Sequence, residues 1–321
     1  MGEFELIRNY FAAAPCAQAG EGVALGIGDD CALLAVPAGE QLAISTDTLV
    51  AGVHFADPCD PFLLGQRALA VAVSDLAAMG ATPIAFTLAL TLPTVTADWL
   101  DAFARGLNAM AQSCGVRLVG GDTTRGPLSL TMTVFGRVPA GKALTRSGAQ
   151  PGDLLCVGGE LGNAAGALSL VLGERVAPAE VAGPLLAHYW SPQPQLDLGV
   201  ALRGKATSAL DISDGLLADC GHIAKASAVG LLIESEKLPL STALVSFLGE
   251  NAARAVALSG GDDYVLAFTL PPAQLPALLA DGWPIHAIGQ VVAGQGVTLL
   301  DANGQDITPQ ARGYQHFRET P

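Results

Sequence analysis

Six short acidic motifs interrupt an otherwise apolar chain: GIGDD at 26–30, STD at 45–47, SD at 74–75, GGD at 120–122, DISDG at 211–215 and GGDD at 260–263. Only 14% of the residues are charged and 50% are hydrophobic, so these carboxylates border segments bound for a core. Carboxylates held close together repel one another, and burying one without a partner is costly. A fold that gathers them needs cations to offset the repulsion. Short oxygen-bearing side chains at glycine corners suit hard cations such as Mg²⁺, which in turn hold phosphates.

Bulk properties narrow the classes further. A chain of 321 residues predicts two domains of roughly 150 residues each. The net charge of −14, with four lysines and no basic stretch, argues against nucleic acid, whose backbone calls for clustered Lys and Arg. An anionic protein still binds a small phosphate where metals reverse the local sign. No apolar run of about 18 residues is free of charges and turn signals, which argues against a membrane span. The opening MGEFELIRNYF lacks a basic-then-apolar layout and reads as the start of a cytoplasmic protein. Six scattered cysteines with no C-x-x-C pair read as reduced thiols rather than a zinc site or disulfide framework.

Along the chain, strand and helix patterns alternate. Residues 42–46 predict a short apolar strand that ends by presenting Ser45, Thr46 and Asp47. Asp60 as N-cap and Pro61 at N1 open a helix that runs to Met79, with Gly80 ending it. A strand at 84–92, a helix capped by Thr96 through Ala111, and strands at 116–119 and 128–138 follow, with GGDTTRGP as the loop between the last two. The Gly- and Ala-rich stretch from Pro139 to Pro151 marks a domain boundary, giving domains 1–139 and 140–321. The second half predicts a strand at 154–157, a helix after Gly162, helices near 178–189 and 195–203, and a strand at 207–211. A helix from about Asp214 and strands at 229–234, 264–270, 285–292 and 297–300 complete it. The fold class expected is α+β (mixed α/β) in two domains.

Each motif has a plainer reading beside the chemical one. Asp29 and Asp30 fit a solvated turn as well as a site. Ser45, Thr46 and Asp47 offer three oxygen ligands in succession, or an N-cap. Asp75 lies in RALAVAVSDLAAMG, so apolar that the helix must be buried; Arg67, two turns earlier, reaches it poorly, which leaves a metal or a distant arginine as its partner. GGDTTRG combines flexible backbone, a carboxylate, hydroxyls and Arg125, all suited to phosphate. It is not a Walker A loop, and no G-x-G-x-x-G links a strand to a helix. Asp211 ends a strand, Asp214 doubles as a helix N-cap, and the spacing is wrong for an EF-hand. GGDD at 260–263 fits a hairpin turn equally well. His54, next to the STD cluster, is structural or functional with equal ease. No nucleophile arrangement is present.

Taken together and in order, GIGDD, STDTLVAGVHF, SDLAAMGA, GGDTTRGP, LDISDGL, SGGDDYVL and the terminal GYQHF resemble the thiamine-monophosphate kinase family. That family shares a superfamily with aminoimidazole ribonucleotide synthetase and selenophosphate synthetase. The selenophosphate enzymes' catalytic Cys with its nearby Lys has no counterpart, since Cys16 has neither the flanking Gly nor the Lys. The resemblance implies ATP-dependent phosphorylation of thiamine monophosphate to thiamine diphosphate by direct transfer, without a phosphoenzyme. It implies several Mg²⁺ ions, and a homodimer pairing the sheets of its N-terminal domains.

Position by position, the resemblance makes Asp30, Ser45, Thr46, Asp47, Asp75, Asp122, Asp211 and Asp214 the Mg²⁺ ligands, converging from both domains. It makes Gly121, Asp122, Arg146 and Ser213 the ATP contacts, and His54, Asp262 and Tyr314 the substrate contacts. Three positions depart from the family's habit. Asp262 stands where many relatives have Glu, Ala104 where an aromatic residue is common, and Tyr314 where Trp or Phe is common. The implied nucleophile, a phosphate oxygen, is already ionised at neutral pH, so no protein base is called for. The nearest rivals are a sister ATP-dependent synthetase and a non-catalytic, metal-dependent nucleotide-binding protein.

Overall fold

The computed structural model describes residues 3–18, 20–309 and 313. The chain divides into two compact units, Met1–Leu76 with Ala81–Ala143, and Ala77–Gly80 with Leu144–Pro321.

The first unit opens with the short helix α1 (Glu3–Leu6) and a small two-stranded sheet, β1 (Val23–Leu25) with β2 (Leu33–Leu34). Its centre is a four-stranded sheet of β3 (Glu40–Val50), β4 (Thr82–Leu92), β5 (Arg117–Arg125) and β6 (Ser129–Pro139), in the order β3-β6-β4-β5. Helix α2 (Pro61–Ala78) joins β3 to β4, and α3 (Ala97–Cys114) joins β4 to β5. As expected, Asp60 caps α2, accepting the Phe62 N–H at 2.8 Å. Gly115, in the left-handed region at φ 68°, ends α3. Strand β6 alternates strictly, burying Leu130, Met132, Val134 and Val138 on one face.

Two expectations for this unit are corrected. Strand β3 runs on to Val50, so Ser45, Thr46 and Asp47 lie mid-strand rather than at its end. Its unbroken antiparallel register with β6, from Glu40↔Pro139 to Val50↔Ser129, holds it extended. The segment expected as a loop, GGDTTR, is the end of β5. Parallel pairing with β4, including Asp122↔Ala89 and Arg125↔Leu92, overrides its weak strand propensity.

The second unit carries β7 (Leu154–Val157), α4 (Asn163–Val171), α5 (Ala179–Trp190), α6 (Leu196–Leu202), β8 (Ser208–Asp211), α7 (Leu216–Ser227) and β9 (Gly230–Glu234). Helices α8 (Thr242–Leu248) and α9 (Glu250–Ser259), strand β10 (Leu266–Leu270), α10 (Leu275–Ala280), β11 (His286–Val292) and β12 (Gly296–Leu300) follow. The sheet order is β12-β9-β11-β7-β10-β8, antiparallel except for β12 beside β9. Successive residues feed two separate cores: Leu155, Val157 and Leu210 join one, Cys156, Ala209 and Phe268 the other. Both faces are therefore buried, which is why these strands read as continuous apolar runs. All six cysteines are free thiols, and burial pushes those of Cys114 and Cys156 up to about 12.

Candidate active site

In the first unit, strand alternation sends Ser45 and Asp47 to one face of β3 and Thr46 to the other. The Ser45 hydroxyl donates to Asp75 Oδ2 on α2, so the acid inside the apolar helix has a hydroxyl partner. Burial, and then the neighbouring charge of Asp75, push Asp47 up to about 6. Two carboxylates and a hydroxyl thus share a half-buried spot made entirely of hard oxygen donors. Mg²⁺ is bound through one or two carboxylates, with substrate phosphates and water completing its shell, so this donor set fits it.

The other proposed ligands of this unit lie elsewhere on it. Thr46 Oγ1 bonds Thr133 Oγ1 at 3.0 Å, and Thr48 Oγ1 bonds Thr131 Oγ1 at 2.9 Å, across the opposite sheet face. Register carries Asp122 to that threonine face through Ala89 and Thr131. Its neighbour Gly121 is dictated by space: at φ 150°, a Cβ there would stand 1.9 Å from the Leu88 carbonyl oxygen. Asp30 is exposed, and its N–H donates to Asp29 Oδ1 at 2.9 Å, which gives Asp29 a role in shaping the turn. His54 Nδ1 accepts the Val50 N–H at 3.0 Å, so a neutral ring carries its proton on Nε2.

In the second unit, two acidic motifs that are far apart in sequence lie side by side. Asp262 N–H donates to the Ser213 carbonyl at 2.9 Å, Tyr264 N–H to Ile212 at 2.8 Å, and Ile212 N–H to Val265 at 2.9 Å. This joins the loop at 211–215 to that at 260–264. Asp211 is buried at the end of β8, Asp214 half-buried, and Ser213 exposed. Asp262, at φ 69°, accepts the Tyr264 hydroxyl at 3.0 Å. Arg146 is exposed, its carbonyl accepting Ser227 Oγ at 3.2 Å at the far end of α7 from Ser213. Tyr314 lies outside the described residues.

Two buried carboxylates have structural roles that the sequence does not assign: Asp219, outside the six motifs, and Asp263, read there only as part of the GGDD turn. Asp219 Oδ2 accepts the N–H groups of Ser213, Asp214 and Gly215 at 3.0, 3.0 and 3.1 Å. Asp263 accepts the Gly162 N–H at 2.9 and 2.8 Å, closing the N-terminus of α4. Burial raises both, Asp219 to about 6 and Asp263 to about 8, against the opposing pull of these hydrogen bonds. The available signal for Asp219 was an acid on the apolar side of LLADC. For Asp263 the GGDD motif marks the acid but not its partner, which is about a hundred residues away. Among the described residues, no group of three or more His, Cys, Asp or Glu side chains could hold a metal. The acids form a pair in one unit and two joined loops in the other.

Residues 28–138 match the family of AIR synthase related proteins, N-terminal domain. The thiamine-monophosphate kinase of Escherichia coli K12 is 47% identical, covering 98% of both chains. The crystal structure of thiamine-monophosphate kinase from Stenotrophomonas maltophilia K279a is 44% identical with a TM-score of 0.86, covering 95% of this chain and 98% of that one. A solved structure described as AaThiL complexed with AMPPCP and TMP is 30% identical, with a TM-score of 0.80, over 88% of this chain and 89% of that one. At such identity over nearly its full length, the chain belongs to the thiamine-monophosphate kinase family of enzymes.

Proposed function

We propose that this enzyme transfers the γ-phosphoryl group of ATP to thiamine monophosphate in line, yielding thiamine diphosphate and ADP. A phosphate oxygen of thiamine monophosphate attacks the γ-phosphorus, and the bond to the β-γ bridging oxygen breaks as ADP leaves. The reading is carried by the Ser45–Asp75 bond beside Asp47, a pair of acids whose repulsion calls for a cation. Full-length similarity to kinases of this name, and to a structure holding an ATP analogue and TMP, supports the substrates.

Mg²⁺, when bound, would offset the negative charge of the donor and acceptor phosphates. Asp47, Asp75 and Ser45 would hold an ion on their face of β3, Thr46 and Asp122 would serve ions on the opposite face and Asp30 in its exposed turn, and Asp211 and Asp214 are the proposed ligands of the second unit. Gly121, Asp122, Arg146 and Ser213 are the proposed ATP contacts; His54, Asp262 and Tyr314 are the proposed substrate contacts. The protein's part is to orient two anions and exclude water.

A homodimer formed through the four-stranded sheets belongs to the same reading. Its support is the edge strand β3, which leaves Ile44 58% and Leu42 40% exposed on the threonine face. No helix among the described residues is long and apolar enough to cross a membrane. Six free thiols fit the reducing cytoplasm, where we place the enzyme. The test is conversion of thiamine monophosphate and ATP to thiamine diphosphate, with and without EDTA. Product formation that EDTA abolishes is expected; no product with ample Mg²⁺ would overturn the assignment.

A further inference from the structure

Three consecutive backbone N–H groups, of Ser213, Asp214 and Gly215, converge on the single oxygen Asp219 Oδ2. They form the entrance to the 12-residue helix α7, whose N-cap Gly215 has no capping side chain of its own. Such a nest at a helix N-terminus is where proteins commonly bind a phosphate oxygen. Here the position is filled from within, by a carboxylate only 4% exposed. The loop it fills carries Asp211, Ser213 and Asp214.

From this we infer that Asp219 is a positioning residue that locks the 211–215 loop in its ligand-presenting form and denies the helix N-terminus to phosphate. The inference rests on the proposed function for the ligand roles of Asp211, Ser213 and Asp214 and for its kinetic readouts, and on the structure for the loop geometry. Phosphate then reaches this loop through cations on Asp211 and Asp214 and through the exposed Ser213, rather than through backbone N–H groups. Two further contacts make the loop's geometry a single-solution problem. Gly261 packs so closely that a Cβ would stand 2.2 Å from the Ser213 carbonyl oxygen, and the Asp262 N–H bonds that same oxygen. With its N–H groups held on one side and its carbonyls on the other, the loop has little freedom to rearrange around a metal. Asp219 supplies the first of these two restraints.

The experiment compares full-length wild type, Asp219→Ala, Asp219→Asn and Val297→Ala, the last a buried position of β12 remote from the loop. Thermal melting, Mg²⁺ titration of thiamine diphosphate formation, and calorimetry with AMPPCP and Mg²⁺ are read on each. Asp219→Ala is expected to raise the Mg²⁺ concentration for half-maximal rate by about 10-fold or more and to weaken the analogue similarly. Asp219→Asn, whose Oδ1 still accepts N–H bonds, recovers part of both. Val297→Ala lowers the melting temperature without moving the Mg²⁺ midpoint. Inorganic phosphate raises the melting temperature of Asp219→Ala more than that of wild type, because its nest is open. Wild-type Mg²⁺ midpoint and analogue affinity in a folded Asp219→Ala would overturn the inference. If that variant does not fold, the same result in Asp219→Asn overturns it. Wild type that binds the analogue yet forms no thiamine diphosphate overturns the kinase reading alone, and calorimetry then decides the role of Asp219.

Discussion

Ser45 on strand β3 donates its hydroxyl to Asp75 on helix α2, tying the edge of a sheet to the one acid of an apolar helix. The bond orients the Asp75 carboxylate beside Asp47 on the same sheet face. Asp47→Asn and Asp75→Asn are expected to lose about 10²–10³-fold in kcat, the scale of removing one preorganised electrostatic group. Ser45→Ala keeps both charges but loses the orienting bond and one hydroxyl ligand, so it is expected to weaken Mg²⁺ by roughly 10–100-fold. Steady-state kinetics over a Mg²⁺ series checks all three.

Stability without metal should depend on pH through Asp47. Its carboxyl sits at about 6 in the folded chain against 3.8 as the ordinary value, so the folded state holds the proton more tightly. Stability then falls as pH rises from about 4 to about 6 and levels off above. Asp219 and Asp263 contribute slopes of the same sign, so the contribution of Asp47 is the difference between wild type and Asp47→Asn. In EDTA at pH 7, melting curves should place the variant higher, by on the order of 2–4 °C. Excess Mg²⁺ should reverse that order.

Much of this could be read from residues alone, and the failures have identifiable causes. Asp60-Pro61 announces a helix start because capping is local chemistry, whereas Thr96 makes no side-chain cap and its helix runs past Ala111 to Cys114. The end of β5 was misread because Gly120-Gly121-Asp122 has poor strand propensity, and only its parallel neighbour β4 makes it extended. The placing of Thr46 away from Asp47 follows from alternation, but only once β3 is known to continue to Val50. The nearness of the 211–215 and 260–264 loops depends on β8 pairing with β10, a long-range choice that no single motif encodes.

Asp263 holds the start of α4 from another part of the chain, accepting the Gly162 N–H with both oxygens. Asp263→Ala leaves that buried donor unmet and is expected to cost about 1–3 kcal/mol. Asp263→Asn keeps an acceptor and should cost less. Denaturant midpoints at constant slope give the comparison.

Ile44, more than half exposed on an edge strand, gives the proposed dimer its simplest test. Wild type is expected to run at twice the mass of one chain in light scattering, and Ile44→Glu at the mass of one. Monomeric wild type at micromolar concentration would remove the dimer from the proposal.

The paired threonines have a consequence for the life of a newly made chain. Thr46 with Thr133 and Thr48 with Thr131 satisfy each other's hydroxyls across β3 and β6, leaving methyl groups available without stranding a donor. Such a surface tolerates water on one occasion and a covering protein on another, at small cost either way. A valine-lined face would bind faster to any exposed strand it met. In the proposed dimer, self-bonded hydroxyls would give a solitary protomer time to find its match before it found a wrong one.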